Sequence, residues 1–198
     1  ILCPKYSLTL DKEMTAYTGL VTLVQLSACI LGDKNRMSYD AGISYIKNVL
    51  EATKTLLKNP NDLDTRSIIM MGASLSTSSR LGIGKEEAYA YDIYELEFLP
   101  EKLFGSSYRR SLTSIFPRFL EAMGKRHKED VRKYYLDVFG FDSSIEESSR
   151  KLVALFSDFG VDMYYDGIIN REQVGCIPCD TELDENEIFE MINGLIRK

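Results

Sequence analysis

Histidine is almost missing from this sequence, which has one, His127, among 198 residues. Ser-His-Asp and Cys-His mechanisms need an imidazole beside the nucleophile. Catalytic zinc and iron sites usually take two or three imidazoles as ligands. His127 stands in a charged segment, which we interpret as a solvent-exposed helix end. A single histidine excludes a histidine-ligated catalytic metal and disfavours a histidine-dependent nucleophile.

Long apolar runs and a cysteine framework are also missing. No run of about 18 apolar residues occurs, so no membrane-spanning segment is predicted. The four cysteines, at positions 3, 29, 176 and 179, suggest no disulfide framework in a chain of this size. The pair Cys176 and Cys179 lacks the two further soft ligands of a structural zinc site. We therefore expect all four to be buried or half-buried free thiols.

Basic residues are fewer than acidic ones, which gives the chain a formal net charge of −6. Nucleic-acid binding relies on Lys and Arg to neutralise phosphates, so we expect neither a nucleic-acid nor a membrane partner, and a cytoplasmic location. The one basic stretch contains Lys125, Arg126 and Lys128. We interpret it as a solvated helix end, with an anion site as the alternative.

Apolar residues recur at helical spacing along most of the chain, with helix-end signals between the runs. After an extended start over 1–10, Asp11 is expected to cap a buried helix that is apolar on nearly all sides. Further helices are predicted over 38–58, from an Asn59-Pro60 start to about 74, over 86–98 with Pro100 closing it, and over 111–123, 129–139, 144–159 and 184–196. Short strands stay open at the N-terminus and near 161–165. The pattern predicts an all-α multi-helix bundle, a single domain over 1–198.

Local motifs for chemistry are weak. The GIGK at 82–85 has no preceding apolar strand and no GK[ST] ending, so we interpret it as a loop rather than a phosphate site. Glu95 with Glu97, or Asp92 with Glu95, could form an acid/base pair. Such pairs are common on helix surfaces, and no second feature marks these two.

Two segments are more specific. Residues 8–20 read LTLDKEMTAYTGL and residues 59–70 read NPNDLDTRSIIM. Both are similar to segments of the helical, metal-binding domain of iron-containing alcohol dehydrogenases. The similarity continues in order through YEL at 94–96, FG at 104–105, IFP at 115–117 and CDTELDENEI at 179–188. The resemblance spans nearly the whole chain and implies the C-terminal, all-α domain of that family, with its dehydroquinate synthase-like fold.

The resemblance also implies which positions carry the family's metal ligands, and this chain differs at all of them. Val21 stands at the family's aspartate position, and Gln25, Ala90 and Phe104 stand at three histidine positions. Tyr94 replaces a further active-site histidine. Hydrocarbon side chains have no donor atom, whereas a buried divalent ion needs imidazole or deprotonated ligands. We therefore expect no catalytic, cofactor-binding or metal-binding residue in this chain.

The family's other half has no counterpart in this sequence. In the family, an N-terminal α/β domain holds the dinucleotide on a glycine-rich turn, and no βαβ pattern with GxGxxG occurs here. Because the chain begins at Ile without a leader, we interpret it as a fragment of a longer protein. NAD(P) and Fe or Zn, which the family uses, are not expected in this chain. The expected partners are an upstream nucleotide-binding domain or a second copy of the chain.

Three interpretations of function follow. We favour a degenerate domain, a pseudoenzyme kept for a structural, assembly or regulatory role. One alternative is the C-terminal half of a working NAD(P)-dependent alcohol oxidoreductase, with Tyr94 as the first candidate for proton donor. The other is a module that binds a small ligand or a partner in the former active-site cleft, lined by Tyr89, Tyr91 and Tyr94.

Overall fold

The chain folds into α-helices. The computed structural model describes residues 2–78, 80–83, 85 and 89–197, and among these it contains ten α-helices and no β-strand. The predicted all-α fold is therefore confirmed. No helix in those ranges is long and apolar enough to cross a bilayer. The chain divides into two compact units, one formed by residues 1–90 with 159–161 and the other by 91–158 with 162–198.

Three helices that pack on one another build the first unit. They are α1 (Lys12–Ile30), α2 (Arg36–Leu56) and α3 (Leu63–Ser76), and a 3₁₀ turn over Pro4–Ser7 packs on α3. Helix α1 is buried on nearly every side, as its sequence predicts. Asp11 caps it, and its carboxylate accepts a hydrogen bond of 2.7 Å from the backbone N–H of Met14.

The second unit is organised around one long helix. Its members are α4 (Asp92–Leu96), α5 (Phe98–Phe104), α6 (Tyr108–Met123), α7 (Lys128–Phe139), α8 (Ile145–Asp158), α9 (Arg171–Gly175) and α10 (Glu185–Asn193). Helix α6 contacts α4, α5, α7, α8 and α10, and Phe116, Phe119 and Leu120 on it are fully buried. Burial of such side chains stabilises a fold by about 1.5–3 kcal/mol each.

The position of Pro100 differs from the sequence prediction. Pro100 does not close a helix but lies in the first turn of α5, where the missing N–H would have had no intrahelical partner. Pro117 is inside α6, and its carbonyl accepts a 3.0 Å hydrogen bond from the buried hydroxyl of Ser149 on α8. The predicted helix start over 86–88 lies outside the described residues.

Two other local predictions are wrong, and one short helix was not predicted. The first residues after position 1 do not form an extended segment but contain the 3₁₀ turn Pro4–Ser7. Asp62, rather than Asn59, caps α3. The short helix α9 was not predicted, although Asn170 and Gln173 form a complete capping box at its start. Where the sequence predicts a helix over 184–196, Asp184 and Glu187 form a complete capping box at the start of α10.

Candidate functional site

Two of the five positions that the resemblance equates with the family's active site lie one turn apart on α1. Val21 is buried and contributes only a hydrocarbon side chain. Gln25 is half-buried, and its Oε1 accepts a 3.2 Å hydrogen bond from the hydroxyl of Ser76 at the end of α3. This bond already engages the only side-chain oxygen of the pair.

The other three positions are aromatic or aliphatic. Ala90, which belongs to the first unit, is fully buried and lies in the 3₁₀ turn Tyr89–Tyr91. In the second unit, the half-buried ring of Tyr94 stacks on that of Tyr91 with 6.4 Å between centroids. The ring of Phe104 stacks on that of Tyr165 with a centroid distance of 4.5 Å and an interplanar angle of 13°.

These residues do not fit the metal that the fold family would carry. Three of the five side chains have no donor atom, the fourth is a neutral amide and the fifth is a phenol. A buried divalent ion needs carboxylate, thiolate or imidazole ligands. Over the described parts of the chain, no three His, Cys, Asp or Glu side chains converge in a way that could hold a metal ion. No step of a reaction can be derived through such an ion.

The acidic residues around α4 and α5 do not form an acid/base pair. Asp92 accepts a hydrogen bond of 2.9 Å from the hydroxyl of Thr181 and one of 3.0 Å from the backbone N–H of Glu182. Glu95 is exposed whereas Glu97 is buried, so the two carboxyl groups lie in different environments. Burial, assisted by the nearby Glu101, raises the pKa of Glu97 to about 7.

The segment around 82–85 does not present an open phosphate loop. The Nζ of Lys85 donates a 2.7 Å hydrogen bond to the carbonyl oxygen of Ala28, so the amine is held by α1. Gly82 has a φ of 76°, which is typical of a turn glycine. Gly84 lies outside the described residues.

The basic stretch before α7 is engaged with acidic groups. Arg126 donates hydrogen bonds of 2.7 and 2.6 Å to the two carboxylate oxygens of Glu187. His127 is half-buried, not exposed as predicted, and its Nε2 lies 2.9 Å from Oε2 of Glu182. The lone imidazole therefore binds an acidic neighbour within its own unit.

Three of the four free thiols are buried or half-buried, as predicted, but Cys176 is exposed. Cys179 is half-buried, and its Sγ donates to the carbonyl oxygen of Glu95 at 3.8 Å. Burial, and then the charge of Glu95, raises the pKa of the Cys179 thiol. A raised pKa lowers the thiolate fraction and disfavours this residue as a nucleophile.

A cavity that the sequence did not suggest lies within the first unit. It has a volume of about 180 Å³ and is lined by residues of the N-terminal segment and of α1, α2 and α3: Ser7, Leu10, Thr15, Thr18, Leu56, Arg66, Ile69, Met70 and Ala73. Arg66 is 3% exposed and Thr15 is 4% exposed. The NPNDLDTR segment contains this arginine, but nothing in the sequence pattern signals that its guanidinium is buried beside a cavity.

Several solved structures share this fold. An NADH-dependent butanol dehydrogenase from Thermotoga maritima has a TM-score of 0.82 with 14% identity, over 98% of this chain and 55% of its own. An iron-containing alcohol dehydrogenase from the same organism has a TM-score of 0.69 with 15% identity, over 98% of this chain and 52% of its own. An iron-containing alcohol dehydrogenase from Corynebacterium glutamicum has a TM-score of 0.67 with 14% identity, over 98% of this chain and 55% of its own.

The chain thus has the all-α fold of the C-terminal domain of iron-containing alcohol dehydrogenases, as the resemblance implies. It spans about half the length of the solved structures that it matches. No protein-family model matches the sequence, and no curated protein sequence matches it.

Proposed function

We propose that this chain is a non-catalytic form of the helical alcohol dehydrogenase domain, with a structural, assembly or regulatory role. The observation that supports the proposal is the chemistry of the five former site positions, Val21, Gln25, Ala90, Tyr94 and Phe104. None of them offers a carboxylate or an imidazole. The charge of a divalent ion held by these side chains would remain nearly uncompensated. The Lewis acid that the family uses would then be lost.

The packing of these side chains agrees with that proposal. Val21 and Ala90 are buried, Phe104 stacks on Tyr165, and the amide oxygen of Gln25 accepts a hydrogen bond from Ser76. Each side chain is therefore engaged in the packing of its own unit. Protein interiors are close-packed, so such contacts stabilise a fold without any bound ion.

Metal content tests the proposal directly. The purified full chain is incubated anaerobically with Fe²⁺ or with Zn²⁺, desalted, and analysed by inductively coupled plasma mass spectrometry. We expect far less than one ion per chain, because no ligand set is available. One ion per chain that disappears in the Gln25→Ala variant would contradict the proposal, whereas retention in that variant would point to a metal site elsewhere on the chain.

A second candidate function rests on the length comparison. This chain accounts for about half of each matched dehydrogenase, and one of those structures is described as NADH-dependent. It could therefore be the C-terminal half of a working NAD(P)-dependent oxidoreductase, with the phenol of Tyr94 as proton donor. A glycine-rich phosphate turn encoded upstream in the same reading frame would favour this candidate. Its absence would favour the non-catalytic domain.

A further inference from the structure

Arg66 is a buried cation whose hydrogen-bond partners, over residues 2–78, 80–83, 85 and 89–197, are all neutral. Its Nε donates to the carbonyl oxygen of Pro60 at 2.7 Å, and its Nη1 donates to that of Ser7 at 2.6 Å. Among the described residues, Nη2 has no hydrogen-bond partner. Burial lowers the pKa of Arg66, and no acidic group in the described part of the chain offsets that effect. Buried charges in proteins are normally paired, so the missing partner of this guanidinium requires an explanation.

A second unpartnered group lines the same cavity. The hydroxyl oxygen of Thr15 is buried and has no hydrogen-bond partner within the described chain. Thr15 and Arg66 stand in the first turns of α1 and α3, where the helix dipole adds positive potential. The capping carboxylates of Asp11 and Asp62 are occupied by backbone N–H groups of their own helices. The cavity therefore presents two buried hydrogen-bond donors without partners in the described chain, and one of them is a cation; this combination suits an anion.

The remaining lining is mostly apolar. Leu10, Leu56 and Met70 line the cavity together with Ile69 and Ala73. The hydroxyl of Thr18 already donates to the carbonyl oxygen of Met14 at 2.7 Å. A cavity of about 150 Å³ accommodates benzene. At about 180 Å³, this cavity suits a ligand of roughly six to eight non-hydrogen atoms.

We propose that this cavity binds a short aliphatic monocarboxylate. Its carboxylate accepts hydrogen bonds from Nη2 of Arg66 and from the hydroxyl of Thr15, and its alkyl chain packs among Leu10, Leu56 and Met70. An arginine–carboxylate pair is a strong, charge-assisted interaction, and it supplies the charge that the guanidinium lacks. None of the five former active-site positions lines this cavity, so the inference stands independently of the metal proposal.

Binding to the full chain is tested with sodium pentanoate as the probe. The chain is labelled with ¹³C at the methionine methyl groups, and the Met70 signal reports on the cavity. We expect saturable shifts with a Kd on the order of 1 mM, which is a reasonable affinity for so small a ligand. 1-Pentanol and acetate should bind at least about tenfold more weakly, because one lacks the charge and the other the chain. Equal binding of pentanoate and 1-pentanol, or no binding of pentanoate, would overturn the proposal.

Variants locate the site with a matched control. Thr15→Val removes the unpartnered hydroxyl and should weaken pentanoate binding about fivefold to tenfold. Thr18→Val removes a hydroxyl of the same cavity that is already bonded to its own helix, and should change the Kd by less than about twofold. Ala73→Leu fills the cavity and should abolish binding. Arg66→Met should also abolish it, and circular dichroism shows whether that variant folds. Unchanged pentanoate affinity in both Thr15→Val and Ala73→Leu refutes the site even if Arg66→Met unfolds.

Discussion

At the scale of single residues, Glu97 is a buried carboxyl group of the second unit. Its side chain is 3% exposed, and its Oε2 has no hydrogen-bond partner among the described residues. Burial first, and the neighbouring Glu101 second, raise its pKa from 4.5 to about 7. A carboxyl group in this position favours the protonated, neutral form. It therefore links the stability of the fold to pH.

The sign of that dependence follows from the raised pKa. Below about pH 4.5 the group is protonated in both the folded and the unfolded chain. Between about 4.5 and 7 the folded chain holds a proton that the unfolded chain has lost, so the stability falls as the pH rises. A pKa difference of this size corresponds to about 3 kcal/mol at most. Above about pH 7 the folded protein has lost the whole of this contribution to its free energy of unfolding.

Glu97→Gln should remove the loss of stability that accompanies ionisation of this buried carboxyl group. We expect the variant and the parent to have similar free energies of unfolding at pH 4.5, and the variant to be up to about 3 kcal/mol more stable at pH 8. Urea denaturation at the two pH values measures the difference. Glu95→Gln, at an exposed neighbour in the same segment, is the control and should show no such pH-dependent gain. An equal gain in both variants would mean that burial of Glu97 is not its cause.

At the scale of elements, the contact between α1 and α2 depends on Gly19. A Cβ atom built on Gly19 would lie 2.1 Å from Oγ1 and 2.7 Å from Cγ2 of Thr53. Thr53 is buried, and its hydroxyl donates to the carbonyl oxygen of Val49 at 2.7 Å. The threonine side chain is thus fixed on both sides. The two helices approach closely because position 19 has no side chain.

Gly19→Ala should therefore destabilise the first unit. Overpacking typically costs about 1–3 kcal/mol, which outweighs the gain in helix propensity of about 1 kcal/mol. The midpoint of urea denaturation measures the net loss. Gly175→Ala in α9 is the matched control, because a Cβ there meets no atom within 4 Å; it should be neutral or slightly stabilising. If the double variant Gly19→Ala/Thr53→Ala regains stability relative to Gly19→Ala, the loss is due to the clash with Thr53. If the double variant is no more stable than Gly19→Ala, this contact is not the cause.

Element boundaries show what local sequence signals can and cannot decide. The helix starts at Asp11 and Asp184 follow from the sequence because each residue is a favourable N-cap whose side chain accepts a hydrogen bond from the backbone of its own helix. The start of α3 was wrong because two cap signals, Asn59-Pro60 and Asp62, compete within a few residues. In the structure, the Nε of Arg66 donates a hydrogen bond to the carbonyl oxygen of Pro60, which lies before the helix. That contact depends on how the turn folds back on the helix, which local preference does not encode.

At the scale of the whole molecule, the all-α fold follows from helical periodicity and from the resemblance of ordered segments across the chain. The division into two units does not follow, because short connections and continuous helical patterning mark no boundary near residue 90. The cavity beside Arg66 and Thr15 could not be predicted from the sequence either. Its residues come from four segments that the sequence separates by up to 66 positions, from Ser7 to Ala73. Only packing in three dimensions brings an unpaired guanidinium next to apolar side chains.

The correspondence between this chain and the family's ligand positions can itself be tested by restoring the donors. The combined variant Val21→Asp, Gln25→His and Ala90→His restores the three ligand positions of the resemblance that lie within the first unit. Without metal we expect it to be destabilised by several kcal/mol, because Val21 and Ala90 are buried and polar groups would replace hydrocarbon there.

Zinc should reverse that loss in the restored variant. Binding to the folded state alone stabilises it by about 4 kcal/mol at a thousandfold excess over the Kd. We therefore expect about one Zn²⁺ per chain and a rise in Tm on adding Zn²⁺, both absent from the parent. A second variant that keeps Val21 but carries the two histidines should bind zinc more weakly, since it lacks the carboxylate charge. If the restored chain is folded by circular dichroism yet binds no zinc, these three positions do not correspond to ligand positions, and the chemical argument for lost catalysis loses its basis.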